Sequence, residues 1–309
     1  MYDLIITGAG IAGLTAAIYG VRAGGRVLVL EGENYGGQII NTPSIENYPG
    51  MPGISGFEFA SKLFNQVKEL GVEIRFEKVD KITIQPQSKA GDENQVKAVY
   101  TDTGTYETKT LILATGAKNR HLGVEQEDSY IGKGVSYCAT CDGAFFRNKV
   151  TAVIGGGNTA LEDAIFLSNI CRKVYLIHRR DSFRGEEKQV GQLRSKENVE
   201  FILNSRVTAL HGDGILSGVT VVDKLTGEEN TLDLNGLFVA VGQVPENQAF
   251  ADIVSLDPAG YIVAGEDCMT GISGIFAAGD CRTKTVRQLT TAASDGAIAA
   301  LAASHIFLE

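Results

Sequence analysis

The chain has no excess of positive charge, no long apolar run and no second cysteine pair, and each lack excludes a class. It carries 28 Lys and Arg against 37 Asp and Glu, a formal net charge of -9. That balance argues against a nucleic-acid or anionic-membrane partner. No apolar run is long enough to span a bilayer. No signal peptide is expected, because Leu4-Ile5-Ile6 already reads as the first strand. Cys-x-x-Cys occurs once, and His121, His178, His211 and His305 are scattered. The four ligands of a structural zinc are therefore missing, and no metal site is expected. Five cysteines without a secretory signal point to a reducing cytoplasm, where a dithiol is catalytic rather than structural.

What is present is glycine, 37 of 309 residues, concentrated at strand-to-helix turns. The length suits two domains, and 44% hydrophobic with 21% charged residues suits a soluble globular α/β protein. Asp3 to Thr7 reads as a strand, Gly8-Ala9-Gly10-Ile11-Ala12-Gly13 as a glycine turn, Leu14 to Ala23 as a helix and Arg26 to Glu31 as a strand. That order is a β-α-β unit on a parallel sheet. A helix is expected over 57–70, closed by Gly71, and a hairpin over 96–106 that turns near Asp102-Thr103-Gly104. Leu111 to Gly116 reads as a buried strand ending in a turn.

The pattern then repeats. Val150 to Ile154 is a strand, followed by Gly155-Gly156-Gly157-Asn158-Thr159-Ala160, a helix from Leu161 to Asn169, and a strand from Lys173 to His178. Leu237 to Gly242 echoes Leu111 to Gly116. Two such halves imply duplicated Rossmann-like domains. Gly274 to Asp280 and the alanine-rich helix from Leu289 to His305 do not fit the second half. They read as a return to the first domain, which makes it discontinuous: 1–115 and 246–309 around an inserted 116–245.

The two glycine turns differ in the residue that ends the next strand. From Gly8 it is Glu31; from Gly155 the same offset lands on His178. A carboxylate accepts bonds from ribose hydroxyls and repels a 2′-phosphate, so the first turn suits FAD or NAD. His178-Arg179-Arg180, with Arg184 a turn later, offers cations, and guanidinium forks bind phosphate, so the second suits NADPH over NADH. Ala277-Ala278-Gly279-Asp280 favours flavin in the first site, since an aspartate after a strand can hold a ribityl hydroxyl. The N-terminus of the Leu289 helix can stabilise charge on a reduced flavin. Flavin is also the mediator expected when nicotinamide must feed a disulfide.

Cys138-Ala139-Thr140-Cys141-Asp142 lies just before the second glycine turn. Such a pair can cycle through a disulfide, and the adjacent carboxylate can relay a proton to a leaving thiolate. Cys171, Cys268 and Cys281 read as ordinary thiols.

Gly8 to Gly13, Gly36-Gly37-Gln38, Glu46 to Gly50, Ala114-Thr115-Gly116, Cys138 to Gly143, Gly155 to Ala160, His178-Arg179-Arg180 with Arg184, and Phe276 to Asp280 with Arg287-Gln288 together resemble the low-molecular-weight, bacterial-type thioredoxin reductases. The resemblance runs the length of the chain and keeps motif order. It implies a homodimer that passes electrons from NADPH through FAD and the dithiol to thioredoxin or a thioredoxin-like protein. FAD contacts are implied at Gly8, Gly10, Ile11, Ala12, Gly13, Glu31, Gly37, Gln38, Asn47, Val79, Thr115, Gly116, Gly279, Asp280, Arg287, Gln288 and Leu289. NADPH contacts are implied at Gly156, Gly157, Asn158, Thr159, His178, Arg179, Arg180 and Arg184. Cys141 would face the flavin, Cys138 would attack the substrate, and Asp142 would serve as acid/base. Gly185 departs from the family's usual alanine. Because the dithiol and the NADPH residues share the inserted domain, that domain is expected to rotate. A flavin-dependent dithiol oxidase, a ferredoxin- or flavin-linked reductase and a nucleotide-binding redox sensor remain as alternatives.

Overall fold

A computed structural model describes residues 1–42, 44–85 and 95–308. The chain forms two compact units, Met1–Lys118 with Val244–Glu309, and Asn119–Gln243.

In the first unit β1 (Tyr2–Thr7), α1 (Ile11–Arg22) and β2 (Val27–Leu30) form a β-α-β arm, and α2 (Gly56–Glu69) leads to β3 (Glu73–Arg75). Ser55 caps α2 by accepting from the Glu58 amide at 3.1 Å, and Gly71 closes it at φ +79°. Then β4 (Val79–Ile84), β5 (Lys97–Thr101) and β6 (Thr105–Leu113) follow as antiparallel neighbours. The order across the sheet is β3-β2-β1-β6-β5-β4.

The crossing strand β7 (Ala117–Asn119) leads into the second unit. There α3 (Glu127–Tyr130), β8 (Val135–Ser136) and α4 (Ala139–Asp142) precede β9 (Val150–Ile154), α5 (Asn158–Ser168), β10 (Lys173–Ile177), α6 (Glu187–Arg194) and β11 (Val199–Ile202). An antiparallel sheet of β12 (Ser205–Gly212), β13 (Leu216–Asp223) and β14 (Glu229–Asp233) intervenes before β15 (Gly236–Val239). The parallel sheet runs β11-β10-β9-β15-β8. The return strand β16 (Gln243–Pro245) pairs with β7. Last come β17 (Ile275–Ala277), parallel to β6, and α7 (Leu289–Phe307). The C-terminal segment thus rejoins the first sheet.

Period-two alternation sorts each sheet's side chains into two cores. Leu4, Ile6, Val27, Val29 and Ile112 meet α1 and α7, whereas Ile5, Leu28, Leu30, Leu111 and Leu113 pack with Phe250, Val254 and Ile262. In the second unit Val153, Val174, Leu176 and Phe238 meet α5 and α6, whereas Ala152, Ile154, Ile177 and Leu237 meet β12 and β13. Among the described residues no helix is long and apolar enough to cross a membrane.

Several expected elements move. Helices expected from Leu14 and Leu161 begin at Ile11 and Asn158, because the last part of each glycine turn is already the first helical turn. The strands expected to reach Gly116, Gly242 and Asp280 end at Leu113, Val239 and Ala277. The ladders stop together: Thr7 and Ala277 both register with Leu113, and Ile177 and Val239 both register with Ile154.

Candidate functional site

That shared strand ending assembles the first unit's site residues. The Gly8–Gly13 turn, Thr115-Gly116 and Gly279-Asp280 all emerge at the carboxyl edge of one parallel sheet, the edge where such sheets bind ligands. Gly8 has φ +104°, and a Cβ there would lie 2.3 Å from the Ala114 carbonyl oxygen. A Cβ on Gly13 would lie 1.9 Å from the Gly8 carbonyl oxygen, so Gly13 lets helix and turn touch. Gly10 is different: a Cβ there would meet nothing within 4 Å, and the same holds at Gly116. At Gly37 it would meet only the Gly10 Cα.

Glu31 accepts from the Ala9 amide at 2.6 Å and the Glu33 amide at 2.8 Å, which seats its carboxylate against the turn. Gln38 donates to the Ala117 carbonyl. Asn47 donates to Gln288 at 2.9 Å, and Gln288 shares a reciprocal cap with Thr291 at the start of α7, where Leu289 is the first residue. Arg287 lies over the Tyr261 ring at 4.3 Å and donates to the Arg282 carbonyl at 3.3 Å. Thr115 donates to Asn247 at 3.0 Å. Val79 opens β4. Asp280 is the outlying member: its Oδ1 is buried without a partner among the described residues, and burial raises its pKa.

The second glycine turn repeats the first. A Cβ on Gly155 would lie 2.4 Å from the Ala240 carbonyl oxygen, as at Gly8 and Ala114, and Gly157 again faces open space. Asn158 accepts from the Glu186 amide at 2.9 Å, and the Arg184 amide donates to the Gly156 carbonyl at 2.7 Å. Thr159 lies in the first turn of α5. Arg179, Arg180 and Arg184 are exposed, and none of them forms an ion pair among the described residues.

His178 corrects the picture of four cations. Its ring is buried, stacks on Phe183 at 5.1 Å, contacts the Ser182 carbonyl at 3.1 Å and would collide with any Cβ on Gly156. Burial lowers its pKa, so the ring is a neutral support beneath the turn.

Cys138 and Cys141 are joined in a disulfide with their Cα atoms 5.3 Å apart. Cys138 caps the single turn α4, and the Asp142 amide donates to its carbonyl at 3.1 Å. Ser136 hydroxyl donates to Asp142 Oδ2 at 2.6 Å and accepts from the Cys138 amide at 3.1 Å. Asp142 Oδ1 is buried without a partner among the described residues, and burial raises the carboxyl's pKa. A raised pKa keeps more of the acid protonated near neutrality, as a proton donor requires. Gly143 lets this turn press on α5, since a Cβ there would come within 2.8 Å of Phe166.

Sequence reasoning missed four supporting residues. Ser136 orients Asp142. Asn247, buried, donates to the Gly260 and Cys281 carbonyls at 2.9 and 2.8 Å while holding Thr115. Asp163 accepts from the Ala139 amide between the two cysteines. Asp295 accepts from the Gly279 amide. Both aspartates sit on buried helical stripes, Ala160-Asp163-Ala164-Leu167 and Ala292-Asp295-Gly296-Ala299, where a lone carboxylate is a readable anomaly.

Comparison with known proteins agrees with this geometry. The pyridine nucleotide-disulphide oxidoreductase family model matches residues 2–296. A thioredoxin reductase of Mycolicibacterium smegmatis is 42% identical over all of this chain and 97% of its own length. One from Treponema pallidum is 42% identical over 98% of this chain and 96% of its own. The crystal structure of thioredoxin reductase from Streptococcus pyogenes superposes with a TM-score of 0.92 at 42% identity, covering 100% of this chain and 98% of that one. The chain belongs to the pyridine nucleotide-disulphide oxidoreductase family and, within it, to the low-molecular-weight thioredoxin reductases.

Proposed function

We propose that the chain is a cytoplasmic, homodimeric, NADPH-dependent thioredoxin-disulfide reductase that uses FAD and the Cys138/Cys141 dithiol. The observation that carries this reading is the dithiol turn: a disulfide flanked by a buried carboxyl with one oxygen unpartnered among the described residues, in the same unit as a glycine turn followed by three exposed arginines.

The first unit's residues fit FAD. Asp280 keeps a buried acceptor without a donor among the described residues, as a ribityl hydroxyl would use, and Gly10, Gly37 and Gly116 leave room where side chains would intrude. Glu31 would take the adenosine ribose. In the second unit Gly156 to Thr159 would take the pyrophosphate, and Arg179, Arg180 and Arg184 the 2′-phosphate. Bound flavin would supply two-electron transfer between nicotinamide and disulfide.

The chain's own chemistry is thiol–disulfide exchange. Cys138 thiolate attacks a sulfur of the substrate disulfide, forming a mixed disulfide and expelling the other substrate sulfur as thiolate. Cys141 thiolate then attacks Cys138 Sγ, releasing the second substrate thiol and restoring the Cys138–Cys141 disulfide. Asp142 supplies the proton to a leaving thiolate. The second glycine turn and the dithiol belong to one unit and the flavin residues to the other, so serving one flavin in turn requires the second unit to rotate on β7 and β16. Tethering the two units should allow only one half-reaction.

The test is an anaerobic titration of flavin absorbance with NADPH and then NADH, followed by oxidised thioredoxin. Bleaching by NADPH, and recovery on adding thioredoxin, are expected. Recovery that needs oxygen instead would make the chain a dithiol oxidase, and full turnover in Cys138→Ser would exclude the dithiol route.

A further inference from the structure

We propose that Asp295 is a positioning residue for the riboflavin half of FAD, holding the 279–288 loop in its binding shape; the inference rests on the FAD reading above. That loop carries Gly279, Asp280, Arg287 and Gln288, four of the proposed flavin residues. Asp295 lies on α7, outside every motif that pointed to flavin.

Its carboxylate is 2% exposed at the residue level and fully engaged. Oδ2 accepts from the Gly279 amide at 2.9 Å, Arg282 Nε at 2.8 Å and Lys284 Nζ at 2.9 Å, and Oδ1 accepts from Arg282 Nη2 at 2.9 Å. Arg282 is wholly buried and also donates to the Thr283 carbonyl at 3.0 Å. One carboxylate therefore gathers the loop at 279, 282 and 284. Gly279 itself sits at φ +79°, a conformation that glycine adopts without strain but among many others, so the Asp295 bond to its amide selects the one that directly precedes Asp280.

The same point of α7 is locked to the first glycine turn. A Cβ on Gly296 would lie 2.2 Å from the Ala12 carbonyl oxygen, and one on Gly279 would lie 2.8 Å from Ala12 Cβ. Ala12 is thus squeezed between the loop and α7. Asp295 sets the loop's distance from the turn that would carry the pyrophosphate. A buried carboxylate with four charge-assisted or backbone donors is costly to assemble for fold alone, since apolar residues of like volume do as well. Its arrangement around Gly279 is what a ligand-holding loop needs.

The test uses apoprotein and two probes, FAD and ADP, by calorimetry or flavin fluorescence, with melting of the apoprotein as a fold control. ADP reports the Glu31 and Gly8–Gly13 half; FAD reports both halves. In Asp295→Asn, FAD should bind about tenfold weaker or more, while ADP stays within twofold. Hydrogen exchange at 279–288 should quicken. Equal FAD affinity, or an equal loss for ADP and FAD, overturns the proposal. If Asp295→Asn does not fold, Asp295→Glu is read by the same criteria, since it keeps the charge for Arg282 and displaces the Gly279 bond. Wild-type apoprotein that binds neither probe overturns the FAD reading itself, which separates the two failures.

Discussion

Ser136 donates a 2.6 Å hydrogen bond to one oxygen of Asp142 and leaves the other buried with no partner among the described residues. The single bond partly offsets the burial that raises the carboxyl's pKa. Replacing Asp142 by Asn should lower disulfide reduction by about 10²- to 10³-fold with little change in NADPH binding. Ser136→Ala removes the bond that favours the charged form. The alkaline limb of the pH–rate profile should then move to higher pH, as steady-state assays from pH 6 to 9 would reveal.

Asp163 is pushed up to about 7, first by burial and then by Glu162. A raised carboxyl pKa means the folded state holds the proton more tightly than the unfolded chain, whose value is 3.8. The stability it contributes is complete below about pH 4 and lost as pH rises through 7. Asp163→Asn keeps an acceptor for the Ala139 amide and should remove this slope. The variant should gain about 4 kcal/mol over wild type between pH 4 and pH 8. Urea unfolding across that range is the check; parallel curves would refute the expectation.

Arg180 and its neighbours Arg179 and Arg184 hold no ion pair among the described residues, so the guanidinium is not already spent. Arg180→Ala should raise the Km for NADPH about 10- to 100-fold and leave that for NADH almost unchanged. Equal losses for both nucleotides would contradict a 2′-phosphate contact.

Gly10 and Gly13 should separate binding from folding. Gly10→Ala meets no atom within 4 Å and should leave the apoprotein's melting unchanged while weakening FAD. Gly13→Ala drives a Cβ to 1.9 Å from the Gly8 carbonyl and should cost roughly 3 kcal/mol of stability before any ligand is added. Melting curves with and without FAD distinguish the two.

Legibility followed locality. The two glycine turns, the dithiol and the Glu31–His178 offset are patterns within about 30 residues, so each is legible without the fold. The return of 274–280 to the first sheet was also readable, because Ala277-Ala278-Gly279-Asp280 repeats no element of the second half. The helices start three residues before their apolar pattern does, since a glycine-rich turn and a first helical turn use the same small residues. In sequence His178 resembles its arginine neighbours as a cation. The side-chain alternation of a strand end turns it inward while the loop beyond carries the arginines out.

The sequence by itself determined the local motifs: two glycine turns followed by unlike residues, Glu31 and His178, and one Cys-x-x-Cys-Asp, each needing only a short run of residue types. The tertiary structure alone decided which groups are left wanting partners. Among the described residues Asp142 and Asp280 each keep a buried oxygen unmatched, while Asp295, a carboxylate like them, is saturated by four donors. Burial and partner count depend on atoms brought together from up to hundreds of residues apart, as when Asn47 meets Gln288, and no local pattern encodes them.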